Sequence, residues 1–230
     1  MVRHRVRLTV TVSALTLVSC GALLLGAGVP AAWAASTTNC ANTSPASGST
    51  IKGNLIVKGK NGLCDLVDVH VTGNVTVYSG DSLITDDVTQ IGGKVTSTDG
   101  QFIQICESDI EGNVQITGTE SGEFGGVEIG GTDCGDSGGS DIFGALTIKD
   151  NHAPVIAVVG NTVGNGSKPG SITVSGNVNS AKGSSDTISQ NMFYGKLICS
   201  GNKPAPTGTG NRNPAHPPGV GTGQCAGLVS

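Results

Sequence analysis

A short unit, apolar-x-Gly-Asn-apolar-x-apolar, recurs along this chain and limits its fold more than any other feature. It stands at 51–57, 71–77 and 110–116, and again at 91–97 with Lys94 in place of Asn and Ser97 in place of the last apolar residue. Looser copies follow at 142–148, 170–174 and 193–199. The marker glycines are Gly53, Gly73, Gly93, Gly112, Gly144, Gly170 and Gly195. The first four return almost evenly, about 20 residues apart, and the later intervals are wider. A period of this size is the signature of a stacked repeat architecture. Within each unit the apolar residues alternate with polar ones, as in Leu55 and Val57 or Val114 and Ile116. That period of two turns them to one face of a strand. The glycine predicts a bend ahead of the strand. The Asn predicts a side-chain hydrogen bond at the corner and stacking on the Asn of the next coil.

A second apolar segment fills each period, at 64–69, 83–84, 102–105, 127–129, 155–159 and around Ile188. The expected fold is all-β, a single-domain parallel β-helix (β-solenoid) of about seven coils. At about 3.3 Å per residue and about 4.8 Å per layer, a coil is a closed path of at most ~65 Å and the stack is ~30 Å tall. A β-sandwich is the alternative, but it leaves the regular return of the Gly-Asn corner unexplained. The wider intervals predict loop insertions at 117–140, 161–170 and 178–185, where a solenoid carries binding specificity.

Residues 1–34 read as a secretory signal peptide. Arg3, Arg5 and Arg7 precede an apolar run over 8–29, and Ala32-Trp33-Ala34 offers small residues for cleavage. A retained membrane anchor is one competing reading, since the run is long enough to span a bilayer. Lipidation is another, because Leu17-Val18-Ser19-Cys20 resembles a lipobox. The β-solenoid domain is then expected over 35–202. A Pro- and Gly-rich segment, 203–230, is expected to fold over its end, tied back by a disulfide.

Beyond Ala34 the chain holds ten Lys or Arg against all seventeen Asp and Glu, a formal charge of −7. An acidic chain without a basic cluster excludes a nucleic-acid binder of the usual kind and a polybasic membrane-surface protein. Six cysteines remain: Cys40, Cys64, Cys106, Cys134, Cys199 and Cys225. An even number in an exported chain implies disulfides. Pairing them in order joins cysteines that stand one coil plus a short insertion apart. Residues one coil apart lie side by side in adjacent layers, so Cys40–Cys64, Cys106–Cys134 and Cys199–Cys225 are the expected bridges. A zinc site is the competing use, but no C-x₂-C pair exists.

Two motifs invite catalysis. Gly135-Asp136-Ser137-Gly138-Gly139 matches the nucleophile loop of trypsin-like proteases, yet none of His70, His152 and His216 stands in the setting that such a base requires. His70 reads as an outward strand position. The carboxylates Asp65 and Asp68, Asp86 and Asp87, and Glu107, Asp109 and Glu111 are candidates for polysaccharide chemistry or Ca²⁺. Adjacent strand residues point to opposite faces, which separates Asp86 from Asp87. Glu107, Asp109 and Glu111 share a face by the same rule and form the candidate ligand face, with a solvated acidic strand as the plainer reading of the same residues.

The four early units, Gly62-Leu63-Cys64-Asp65-Leu66, Leu197 to Asn202 and the closing Gly223-Gln224-Cys225-Ala226-Gly227-Leu228 together resemble small exported actinobacterial proteins of unknown function with repeated Val-x-Gly-Asn-Val-x-Val units. The resemblance covers nearly all of the chain after the signal. It implies secretion and a β-solenoid, and brings no catalytic residues. A weaker similarity is to bactofilins, which polymerise through β-helix ends. The resulting expectation is a secreted or cell-surface structural or interaction protein without catalytic activity and without a cofactor. Its partner would be cell-wall glycan or a surface protein, met by a flat face of Thr, Ser and Asn. A carbohydrate-active lyase or hydrolase is the alternative.

Overall fold

The computed structural model describes residues 36–120, 125–131, 134, 138–181, 186–216 and 220–230. The signal segment with Cys20, and Gly135-Asp136-Ser137, lie outside the described residues. The rest is a parallel β-solenoid with three principal sheets.

Sheet A, the largest, has nine strands: Thr37–Asn39, Asn54–Val57, Val75–Val77, Val95–Thr98, Val114–Thr117, Leu146–Lys149, Ile172–Ser175, Leu197–Ser200 and Gly221–Gly223. Sheet B has seven short strands, from Thr50–Ile51 to Met192–Phe193. Sheet C has six, from Leu63–Val67 to Thr187–Ser189. Each coil runs through B, then A, then C. The sequence unit therefore spans two faces. Its first apolar residue (Ile51, Val71, Ile91, Ile110) is the inward residue of sheet B, its Gly-Asn turns the corner, and its last three residues enter sheet A.

The interior is filled by vertical columns of like residues. Leu55, Val75, Val95, Val114, Leu146, Ile172 and Leu197 form one in sheet A, all fully buried. Burial of aliphatic side chains at about 1.5–3 kcal/mol each is the main cohesive term.

The marker glycines have a cause other than a bend. Only Gly53 among the seven adopts a positive φ. At the others the chain passes so close to the coil below that a Cβ has no room. One added at Gly73 would lie 2.5 Å from the Gly53 carbonyl oxygen, and one at Gly112 would lie 2.7 Å from that of Gly93. Glycine stacks on glycine because each excludes the side chain of the next.

Disulfides join Cys40 to Cys64, Cys106 to Cys134 and Cys199 to Cys225, with Cα–Cα distances of 5.4, 5.2 and 5.2 Å. Each connects adjacent layers. The segment after Asn202 does not lie across the end of the stack but continues its path. Lys203 bridges Val178, Thr207 bridges Thr187 in sheet C, Arg212 bridges Met192 in sheet B, and Gly221–Gly223 joins sheet A. Backbone groups can pair this way even without apolar side chains, which is why a Pro- and Gly-rich stretch still adds a coil.

The expected insertions are partly absorbed into the coils. Gly126–Gly130 belongs to sheet C, so the extra length between Gly112 and Gly144 sits at the two corners around it. Within 161–170, Thr162–Val163 is a sheet B strand, and the loop begins only after it. Within 178–185, Val178–Asn179 pairs with His152–Ala153 as a short fourth side.

Candidate functional site

The broad outer face of sheet A is built from three outward columns. Strand alternation and in-register parallel pairing place them there. The central column carries Thr76, Thr96, Thr147, Thr173 and Thr222, interrupted by Gln115 and by Ile56 and Ile198 at separate points. The column at the sheet B edge holds Asn54, Asn74, Lys94, Asn113, Ser171 and Lys196. Here the side chains form a ladder. Asn54 Oδ1 accepts the Asn74 backbone N–H at 2.9 Å, Asn74 Oδ1 accepts that of Lys94 at 2.9 Å, and Asn113 Oδ1 accepts that of Ala145 at 2.9 Å. The third column includes Lys58, Tyr78, Thr98, Thr117 and Lys149. Lys58 Nζ stands 5.1 Å from the centre of the Tyr78 ring.

Charge is shared unevenly between the faces, although Lys52 and Arg212 stand at sheet B. No Asp or Glu lies in any strand of sheet A. Asp65, Asp86 and Glu128 lie in sheet C, and Asp109 and Asp141 in sheet B. Lys58, Lys94, Lys149 and Lys196 lie in the strands of sheet A or immediately beside them. Asp99 and Asp150 take the left-handed corner just beyond its third column. Among the described residues the one ion pair is Lys149 with Asp150, at 3.2 Å and half-exposed on both sides. Such surface pairs contribute little.

The predicted carboxylate face divides in two. Asp109 and Glu111 do share the outer side of sheet B, where they line a shallow hollow of about 280 Å³ with His70, Gln90 and Phe143. Glu107 does not join them. It occupies a left-handed corner with φ of 44°, which breaks the strand alternation, and its carboxylate groups with those of Asp86 and Asp87 within 4.8 Å. The expected separation of Asp86 from Asp87 fails for the same reason, since Asp87 is itself left-handed at φ 49°. His70 is exposed at the start of a sheet B strand, as its sequence position predicts.

Two features carry no plain mark in the sequence. One is a shallow apolar hollow of about 600 Å³ on sheet C, with Leu63, Ile84, Phe102 and Val155 in its wall. The other is interior and polar. Asn161, Asn191 and Asn211 stack at the corner between sheets C and B, and Asn151, Asn177 and Asn202 at the corner between A and C, all buried. Asn191 Oδ1 accepts both the backbone N–H and the side-chain amide of Asn161 at 3.1 Å, while its own amide donates to Val158 O at 2.8 Å and Asn211 Oδ1 at 2.9 Å. The second ladder ends on Gln224, whose Oε1 accepts the Asn202 amide at 3.1 Å. The available signal is a residue of left-handed conformation followed by Asn, as in Gly160-Asn161, Gln190-Asn191 and Gly176-Asn177.

Asp186 contrasts with these satisfied ladders. It stands just before Thr187–Ser189 of sheet C and is fully buried, and among the described residues neither of its carboxylate oxygens has a hydrogen-bond partner. Burial pushes its pKa from 3.8 to about 6.

Comparison with family models, with curated proteins and with solved structures returns no match.

Proposed function

We propose that this chain is an exported, cell-surface structural or interaction module that binds a wall polymer or surface protein through the outer face of sheet A, without catalysis. The observation that carries the reading is the threonine column, Thr76, Thr96, Thr147, Thr173 and Thr222, which runs along the outer face of sheet A with Gln115 and Ile198 between its members. Hydroxyls spaced at about 4.8 Å along a rigid stack suit a ligand that is itself linear and repetitive. The three disulfides are compatible with an extracellular setting. Export through residues 1–34 and kinship with the exported actinobacterial repeat proteins belong to the same proposal. The test is a pull-down of cell-wall fractions and surface proteins with the whole chain from Ala35 onward. Retention that is lost on Thr96→Glu with Thr147→Glu supports the reading, and failure to retain any fraction overturns it.

A carbohydrate-active enzyme is the second reading, favoured by the close grouping of Asp86, Asp87 and Glu107. Turnover in a polysaccharide screen with and without Ca²⁺, abolished by Glu107→Gln or Asp109→Asn, would replace the first reading with this one.

A further inference from the structure

The lysines of sheet A are ordered as well as segregated. Lys58, Lys94, Lys149 and Lys196 stand in the first, third, fifth and seventh full coils, one in every second layer. They also alternate in side: Lys58 follows its strand and Lys149 ends its own, whereas Lys94 and Lys196 precede theirs. The two flanking columns are about 13 Å apart, with the threonine column between them. All four lysines are exposed. Two layers amount to about 10 Å along the stack. A cation is thus presented about every 10 Å, from alternate sides, to anything lying along the threonine column. The strands of the other two faces carry Asp65, Asp86, Asp109, Glu128 and Asp141, while beside sheet A stand Asp99 and Asp150, at the corner beyond its third column.

We infer that this face binds a linear anionic polysaccharide, a uronate-bearing chain, laid parallel to the stack axis. The inference rests on the binding function proposed above and adds the charge and direction of the ligand. An extended pyranose unit is close in length to one layer of the stack. A polymer with a uronate at every second sugar would therefore offer one carboxylate to each lysine in turn. The threonine, Gln115 and Asn groups between them donate to and accept from ring hydroxyls. Lysine suits this use, being a compact charge on a flexible stem. The strand carboxylates of sheets B and C disfavour the same polymer on those faces. Asp150 beside Lys149 is an exposed pair that a polymer carboxylate can displace.

The experiment measures binding of the chain from Ala35 onward to three probes: a polymer of alternating glucuronate and N-acetylglucosamine, a neutral β-1,4-glucan, and single-stranded DNA. The expected result is preference for the uronate polymer, weakened about tenfold or more when salt rises from about 50 to about 500 mM. Replacing Lys58, Lys94, Lys149 and Lys196 together by Gln should reduce affinity by a similar factor, with the melting temperature as the check on folding. Thr147→Glu, which keeps every lysine, should weaken binding as well. Asp141→Asn on sheet B should leave it unchanged. Equal, salt-insensitive binding of the neutral glucan overturns the inference and leaves the proposed binding function standing. DNA bound as tightly as the uronate polymer overturns the assignment to polysaccharide. Loss of binding to every polymer and wall fraction overturns both.

Discussion

The first four coils and the coils after Gly144 solve the same packing problem with different parts. In the early coils the marker glycines keep their near-even spacing. Asn54, Asn74 and Asn113 stand at the outer corner, half-buried or exposed, each bonding the backbone of the next layer. Their inner corners are filled by Val69, Thr89 and Ser108. In the late coils the spacing widens, and Asn moves inside, as Asn151, Asn177 and Asn202 and as Asn161, Asn191 and Asn211. The two inner solutions join where Ser140 Oγ accepts the Ser108 N–H at 3.2 Å and Ser140's own N–H reaches Asn161 Oδ1 at 3.0 Å. The glycine ladder is thus common to early and late coils, whereas the Asn position is free to change. Close backbone approach forbids a side chain at the glycine, while the Asn has only to satisfy a neighbouring layer.

Four measurements bear on that contrast. The largest effect is expected at the shared element. Gly93→Val drives a Cβ to 2.5 Å from Asn74 Oδ1 and 2.7 Å from Gly73 O, and should cost about 4 kcal/mol or more in denaturant unfolding, the range of severe steric changes. Next is the late ladder. Asn191→Leu strands the Asn161 N–H groups and the Val158 carbonyl, and should cost about 3 kcal/mol, since each buried orphan costs about 1–3 kcal/mol. Third is Asp186. Its folded pKa is raised, so its carboxyl is tolerated while protonated, and stability is lost as pH rises from about 4 through about 6. Asp186→Asn should abolish that slope and leave the protein more stable than the native chain at pH 7 by roughly 2 kcal/mol in pH-resolved melts. The smallest effect is expected at the early outer corner, where Asn74→Ala removes one half-exposed link and should cost about 1 kcal/mol. Equal losses for Asn74→Ala and Asn191→Leu would erase the distinction between the two regions.

Much of the candidate site is legible in the chain, but unevenly. The flat face of Thr, Ser and Asn follows from strand alternation in each unit, because inward Val and Ile leave the polar residues outside. The alternation of lysines does not, since it depends on which residues share a layer. The left-handed corners at Asp68, Asp87 and Glu107 are equally hard to read. Asp and Glu carry no marker for positive φ comparable to glycine, so strand alternation carried through Glu107 misplaces it. The late Asn ladders are hidden by resemblance. Gly176-Asn177 and Gly201-Asn202 look like the unit's Gly-Asn, yet their glycines are left-handed and their Asn side chains turn inward.

The stacked β architecture, its period and the layer-to-layer cysteine pairs follow from the chain alone, because period-two alternation and regular spacing can be read locally. The folded stack settles what remains: that the marker glycines serve close approach rather than a bend, that 203–230 becomes a further coil, and that no strand of sheet A carries a carboxylate. Each of these depends on what lies one layer below. That neighbour is a full period away along the chain, at a separation that every insertion changes.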